Sequence, residues 1–299
     1  MMKVCVLVST YNGEKYLEEQ LQSVYVQEGV DVDILVRDDG STDRTCEILD
    51  NWQNQGKLIW YKGNNLGFAL SFMDLLVNAP ESDYYAFCDQ DDIWLPEKIS
   101  KAINTLESIS GSCKLYCSNT YLYKNGITVG LLHDSKPYYD RYTCLLKSIA
   151  PGCTMVFDKS LRRIVSSAIP DSIIAHDLWV YQIAEMLGTV IYDHVPCIMY
   201  RQHENNTIGQ HTSWTSKWRN RISRLLFENE RHPRESQAKE LIECHSESMN
   251  EDCVRIISRV AYYRNSIRYR YELLTDKRYT MGSFTANLFL HLRILFSRF

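Results

Sequence analysis

The chain has 299 residues, 45% of them hydrophobic and 23% charged, the size of one large domain or one domain with an appendage. No run of about 18 apolar residues occurs, so no helix of membrane-spanning length is encoded. The net charge of −4 divides unevenly, −10 over residues 1–200 and +6 over residues 201–299. That split predicts an acidic body that carries chemistry and a basic tail drawn to an anionic surface.

The first residues, MMKVCVLVST, run straight into a strand-like segment without the pattern of a secretory signal, which predicts a cytoplasmic protein. Residues 3–9 read as a strand buried on both faces. Leu17, Leu21, Val24 and Tyr25 then follow helical spacing. VDILVRDDGS is a second strand ending in acids, and Thr42 or Asp43 is placed to cap the helix carrying Ile48, Leu49 and Trp52. KLIWYK is a third strand, NNLGFALSFMDLLVNA a helix, and DYYAFCDQDD a fourth strand, again ending in acids. This alternation predicts an α/β fold with a mainly parallel sheet. Residues 111–200 turn β-rich (KLYCSNTYLYK, CTMVFD, TVIYDHVPCIMYR), with a helix near 177–187, and after residue 203 the pattern is helical. The ten cysteines include no C-x-x-C pair. Cys5, Cys88, Cys117 and Cys153 lie in apolar runs, as reduced core thiols do.

Polar residues gather at the carboxyl ends of the strands, where open α/β sheets bind ligands. In Phe87-Cys88-Asp89-Gln90-Asp91-Asp92 three carboxylates fall within four residues, a repulsive arrangement that calls for a cation. Mg²⁺ and Mn²⁺ take oxygen ligands and share them with phosphates. A helix N-terminus would account for Asp92 alone. Arg37-Asp38-Asp39-Gly40-Ser41 places a second pair of acids at another strand end, suited to a base N–H or a ribose hydroxyl. An Asx-type turn accounts for that pair equally well.

Taken together, Ser9-Thr10-Tyr11-Asn12, Asp38-Asp39-Gly40-Ser41, Asn65-Leu66-Gly67 and Asp89-Gln90-Asp91-Asp92 resemble the ordered motifs of family 2 glycosyltransferases. These are inverting, nucleotide-sugar-dependent enzymes of the GT-A fold. The resemblance is specific over residues 3–100 and looser to about residue 210. His176-Asp177-Leu178-Trp179 and Tyr200-Arg201-Gln202-His203-Glu204-Asn205-Asn206 look like the bacterial rhamnosyltransferase-like branch. Leu178 stands where that branch has a first tryptophan, and Glu204 where it has glycine. The Gln-x-x-Arg-Trp motif of processive synthases is absent, which implies transfer of a single residue.

The resemblance implies a GT-A catalytic domain over residues 1–210, divided into a nucleotide-sugar half (1–110) and an acceptor half (111–210), and a helical region over 211–299. It implies that Thr10, Tyr11, Asn12, Glu14, Asp38, Asp39, Asn65, Gly67, Asp89, Gln90 and Arg201 line the nucleotide-sugar site. Asp89, Asp91 and His203 would hold Mn²⁺ or Mg²⁺. Asp177 would be the catalytic base, a role compatible with its also capping a helix, and Gly152, Cys153, His176 and Trp179 would face the acceptor. The donor it implies is dTDP-L-rhamnose, or else a UDP-sugar, and the acceptor a saccharide, carried on polyprenol, for a surface polysaccharide.

The tail adds Trp214, Trp218, Ile222, Leu225 and Leu226 on one helical face among Lys217, Arg219, Arg221 and Arg224. Phe284, Leu288, Leu292, Leu295 and Phe299 form a second stripe in an acid-free segment. Such faces suit the inner surface of an anionic membrane, with packing on the catalytic domain or in a homodimer as the alternative. Nucleic acid is not expected as a partner, since bulky apolar residues interleave the cations. A nucleotidyltransferase would open with a glycine-rich loop where this chain has Ser9-Thr10-Tyr11-Asn12-Gly13, and a non-catalytic subunit would not keep the acids.

Overall fold

In the computed structural model, which describes residues 1–202 and 233–299, five successive apolar residues, Val4 to Val8, are fully buried. They form the middle of β1 (Lys3–Thr10), which is followed by α1 (Leu17–Tyr25), β2 (Asp31–Asp38), α2 (Thr45–Asn54), β3 (Ile59–Lys62), α3 (Gly67–Asn78) and β4 (Tyr84–Cys88). β1 pairs in parallel with both β2 and β4, and β2 with β3. Parallel strands covered by helices on both faces read as continuous apolar runs, and these do.

The second half is built from β5 (Ile93–Trp94), α4 (Lys98–Glu107), β6 (Lys114–Ser118), β7 (Tyr121–Lys124), β8 (Ile127–Leu131), β9 (Val156–Asp158), α5 (Lys159–Ser167), α6 (His176–Leu187), β10 (Thr189–Asp193) and β11 (Ile198–Arg201). The main sheet runs β10-β6-β9-β4-β1-β2-β3, and a four-stranded sheet runs β5-β11-β7-β8. β9 alone is antiparallel in the main sheet, so the expected α/β architecture with a mainly parallel sheet holds.

Two runs that read as single β pieces divide between the sheets. KLYCSNTYLYK splits into β6 and β7, and TVIYDHVPCIMYR into β10 and β11. The chain changes sheet at buried Asn119. Its backbone N–H donates to Asp193 O (2.9 Å), its Oδ1 accepts from Thr120 and His133 N–H (3.0 and 3.1 Å), and its Nδ2 donates to His133 O. A side-chain crosslink of this kind leaves no trace in hydropathy. At the second helix, Asp43 Oδ1 accepts from Thr45 N–H (3.0 Å), while the cap position itself falls on Arg44.

Beyond residue 233 the chain is helical as expected: α7 (Pro233–His245), α8 (Glu251–Ala261), α9 (Ile267–Thr275) and α10 (Phe284–Leu295). Asn250, Ser266 and Ser283 cap the last three through the N–H groups of Cys253, Tyr269 and Ala286. Their inner faces join the same core as α6 and the main sheet. α6 is buried nearly all round, as a helix packed on every side must be.

Candidate active site

β1, β2 and β4 end at one edge of the main sheet, and their last residues lead into the predicted motifs. Asp38 is buried and turns its carboxylate back onto the chain. Oδ1 accepts from Gly40 and Ser41 N–H (3.2 and 2.9 Å), and Oδ2 from the hydroxyls of Thr10 (3.2 Å) and Ser41. Asp39, also buried, accepts from Arg37 Nη1 and from the N–H groups of Leu66 and Gly67 (both 2.9 Å). Gly67 has φ +76°, a conformation that favours glycine, and opens α3. The two acids therefore fix the turn after β2 and the loop that opens α3.

Tyr11 and Gln90 are joined reciprocally: Tyr11 N–H donates to Oε1 (2.8 Å) and Nε2 donates to Tyr11 O (3.1 Å). Asn12, at φ +50°, receives Thr42 N–H at Oδ1 (2.9 Å) and donates its own N–H to Ser41 Oγ (2.9 Å). Glu14 accepts from Arg44 N–H (3.0 Å). Asn65 is exposed beside Gly67, whose N–H it also receives (3.2 Å).

The acidic triplet lies where β4 gives way to β5. Asp92 is fully buried. It is not at a helix start, because Ile93 and Trp94 pair with β11, and its Oδ1 accepts from Arg201 N–H on that strand (3.0 Å). Its Oδ2 has no partner. Ligand atoms of Asp89, Asp92 and Cys153 all lie within 4.8 Å of one another. Burial, and then the charge of Asp91, push Asp89 up to about 7 and raise Asp92 well above the carboxylate range. An unpaired buried carboxylate oxygen amid mutually repelling acids fits a bound divalent cation, which would relieve both. Asp91 is half-buried beside it. The third expected ligand, His203, lies outside the described residues, as do Trp214 and Trp218.

α6 leads back into β10, so it runs against the strands and its first residues reach the same sheet edge. Its cap position is Ala175, and Asp177 sits in the first turn, so Asp177 is not the N-cap residue. The carboxylate accepts from its neighbour Leu178 N–H (2.6 Å). Burial holds it up at about 6, and its charge acts in turn on Asp89. Asp177 and the acid cluster are thus within electrostatic reach of each other. Gly152 makes the approach possible: a Cβ there would collide with His176 Nε2 and stand 3.2 Å from Asp177 Cβ.

His176 is buried and stacked on Phe72 at 3.9 Å between ring centroids, with neither ring nitrogen partnered. Burial drops it to about 3, so it is neutral. Trp179 is fully buried and packs on His245 of α7 (5.7 Å), so this expected acceptor-side residue docks the C-terminal helices instead. Arg201 is directed inward as well. Nε donates to Asp91 O (2.7 Å), Nη2 pairs with Glu19 (2.6 Å), and the guanidinium stacks 4.4 Å from the Tyr16 ring centroid.

Two groups around the site were not foreseen. Arg37 spans Asp39, Asp74 (2.9 Å), Ser71 (3.1 Å) and Asn64 O (2.9 Å). Its signal was a charged residue inside an apolar strand, which must be paired when buried. Lys98 is buried behind Asp92, with its ammonium 3.5 Å from the Trp94 ring centroid. A helical lysine carries no such signal.

Residues 5–164 match the family described as Glycosyl transferase family 2. The dTDP-rhamnosyl transferase RfbG of Shigella flexneri is 33% identical over 225 residues, covering 71% of this chain and 77% of that protein. The UDP-Glc:alpha-D-GlcNAc-diphosphoundecaprenol beta-1,3-glucosyltransferase WfaP of Escherichia coli is 27% identical over 54% of this chain and 62% of its own length. Among solved structures, S. aureus TarS 1-349 with UDP-GlcNAc superposes with a TM-score of 0.57 at 17% identity, covering 99% of this chain and 91% of that one. That likeness shows the GT-A-type fold. The chain belongs to glycosyl transferase family 2.

Proposed function

We propose that this glycosyl transferase family 2 enzyme moves L-rhamnose from dTDP-L-rhamnose, with inversion, onto a saccharide hydroxyl of a polyprenol-linked acceptor in bacterial surface polysaccharide synthesis. The observation that carries the chemistry is Asp177, held near pKa 6 and facing the acid cluster across Gly152 and Cys153. A base tuned close to working pH accepts a proton readily once ionised. The rhamnosyl donor rests on the name of the Shigella relative, and the lipid-linked acceptor on that of the E. coli relative.

Asp177 takes the acceptor hydroxyl proton as that oxygen attacks the anomeric carbon. The bond from carbon to the donor phosphate oxygen breaks, and dTDP leaves with the electron pair. Gly152 and the first turn of α6 fix the direction of the carboxylate. Tyr11 and Gln90, locked by their reciprocal bonds, and Asn12, held by Ser41 and Thr42, form the wall against which the nucleotide rests. Asp89, Asp91 and Asp92 would hold Mn²⁺ or Mg²⁺, which supplies positive charge for the departing diphosphate.

The donor is tested by thermal unfolding with dTDP, UDP and GDP, each with and without Mn²⁺. A ligand at 100 times its Kd stabilises the folded state by about 2.7 kcal/mol. The expected result is a rise with dTDP and Mn²⁺ together. A response to UDP alone would move the donor to a UDP-sugar, the reading that the names of the E. coli and S. aureus proteins favour.

A further inference from the structure

α10 has two apolar faces of opposite fate. Leu290 and Ile294 are buried, as is Phe299 beyond it, whereas Phe284 is 83% exposed, Leu288 43% and Leu295 52%. The exposed three fall at i, i+4 and i+11, a single side of the helix. The stripe expected from sequence is therefore divided: Phe299 is pinned inside against Tyr263, to whose hydroxyl its N–H donates (3.0 Å), and Phe296 takes the outer place. Arg270 Nη2 donates to Ser297 Oγ (2.9 Å), which brings the α9 side carrying exposed Ile267 and Tyr271 to the same end of α10.

From Lys277 to Phe299 there are four cations and no acid; Lys277 is exposed, while Arg278 and, on α9, Arg268 are paired with Asp276 and Glu272 (2.6 and 2.8 Å). At 12 residues α10 is about 18 Å long, too short for a hydrocarbon core of about 30 Å. The face also has a definite place relative to the site. Gly282, just before α10, would set a Cβ 3.6 Å from Lys147 Nζ, and the segment after Lys147 runs directly into Pro151 and Gly152.

We propose that the outer faces of α9 and α10 lie in the plane of an anionic phospholipid bilayer, with Phe284, Leu288, Leu295, Phe296 and Ile267 at the headgroup boundary. Lys277 and the net positive charge of the Lys277–Phe299 segment complement the lipid charge, and the acceptor side of the site is turned toward the membrane. Apolar side chains exposed on a short helix within a basic, acid-free segment match a surface-lying helix rather than a spanning one. The orientation rests on the lipid-linked acceptor proposed above, while the surface itself does not.

The test is sedimentation of the full-length protein with vesicles of phosphatidylglycerol and phosphatidylethanolamine, against phosphatidylcholine alone. Wild type is expected to pellet with the anionic vesicles, less so as salt rises. The double variant Phe284→Glu, Leu288→Glu is expected to lose binding about tenfold or more. Both side chains are exposed, so its melting temperature and its hydrolysis of dTDP-L-rhamnose should match wild type. Equal binding by the variant, or none by wild type, overturns the surface. So does a dimer that the variant dissociates without any vesicle binding, since a second copy then covers this face. Nucleotide-induced stabilisation is measured in parallel: no vesicle binding by wild type while its dTDP response persists condemns only the surface. Vesicle binding that depends on Phe284 and Leu288 without a dTDP response supports the surface and removes the donor assignment.

Discussion

Arg37 and Asp39 stand two residues apart at the end of β2 and form a buried ion pair. Arg37 Nη2 also holds Asn64 O, and Asp39 holds the N–H groups of Leu66 and Gly67. The loop that opens α3 is thus fixed from the neighbouring strand. A Cβ at Gly63 would collide with the same guanidinium.

Removing one partner of a buried pair leaves the other charge uncompensated, at a cost of about 3–5 kcal/mol. Arg37→Met is expected to lose stability of that size in urea unfolding and to weaken dTDP binding as the loop relaxes. Arg37→Lys keeps the charge without the planar fork and should fall between. Full stability in Arg37→Met would show that the pair does not set the loop.

Gly152→Ala places a methyl group against His176 and Asp177. Neither can retreat easily, because His176 is packed between Phe72 and Phe87 and Asp177 begins a buried helix. The expected effect is on the direction of the carboxylate: kcat falls by about 100-fold, as displacements of about 1 Å can cause, while dTDP affinity stays within about twofold. Parallel losses in both would place Gly152 on the donor side.

The sheet was legible because buried parallel strands are apolar throughout, and Val4 to Val8 or Tyr84 to Cys88 can be little else. The acids at the strand ends were legible because they interrupt those runs. What hydropathy could not carry was long-range pairing. Asn119 ties two distant turns, Arg37 spans a strand and two loops, and Arg201 at the end of β11 reaches Glu19 on α1. Trp179 was misplaced for a related reason. A helix turns successive residues by about 100°, which points Trp179 away from Asp177 and toward α7.

The C-terminal helices support α6, which carries Asp177, as well as offering an outer face. Gln237 Nε2 donates to Gln182 Oε1 on α6 (2.6 Å), and Gln237 Oε1 accepts from Ile174 N–H just ahead of that helix (2.8 Å). Trp179→Ala should cost about 3–5 kcal/mol. Truncation before Met281 strips Leu290, Ile294 and Phe299 from the core, so the shortened chain is expected to melt early and lose activity. Calorimetry showing an unchanged transition would make the helices dispensable.

Asp177 links activity and stability to pH in opposite senses. Burial holds it at about 6 against an ordinary 3.8, and only the ionised form can take a proton. Transfer should therefore rise with pH through about 6 and level off above, with one proton in the limb. The folded state binds that proton more tightly than the unfolded one. The resulting stabilisation is full below pH 3.8 and is lost as pH climbs through 6. A displacement of about two pH units is worth about 3 kcal/mol. Asp177→Asn removes the buried charge, so at pH 8 it should be more stable than wild type by roughly that amount, and at pH 4 scarcely different. Its transfer rate should drop by about 10²–10⁴, with dTDP affinity preserved. The decisive measurement pairs urea unfolding at both pH values with initial rates across the range. A variant destabilised at pH 8, or one whose nucleotide affinity falls along with its rate, would return Asp177 to a structural or donor-side role.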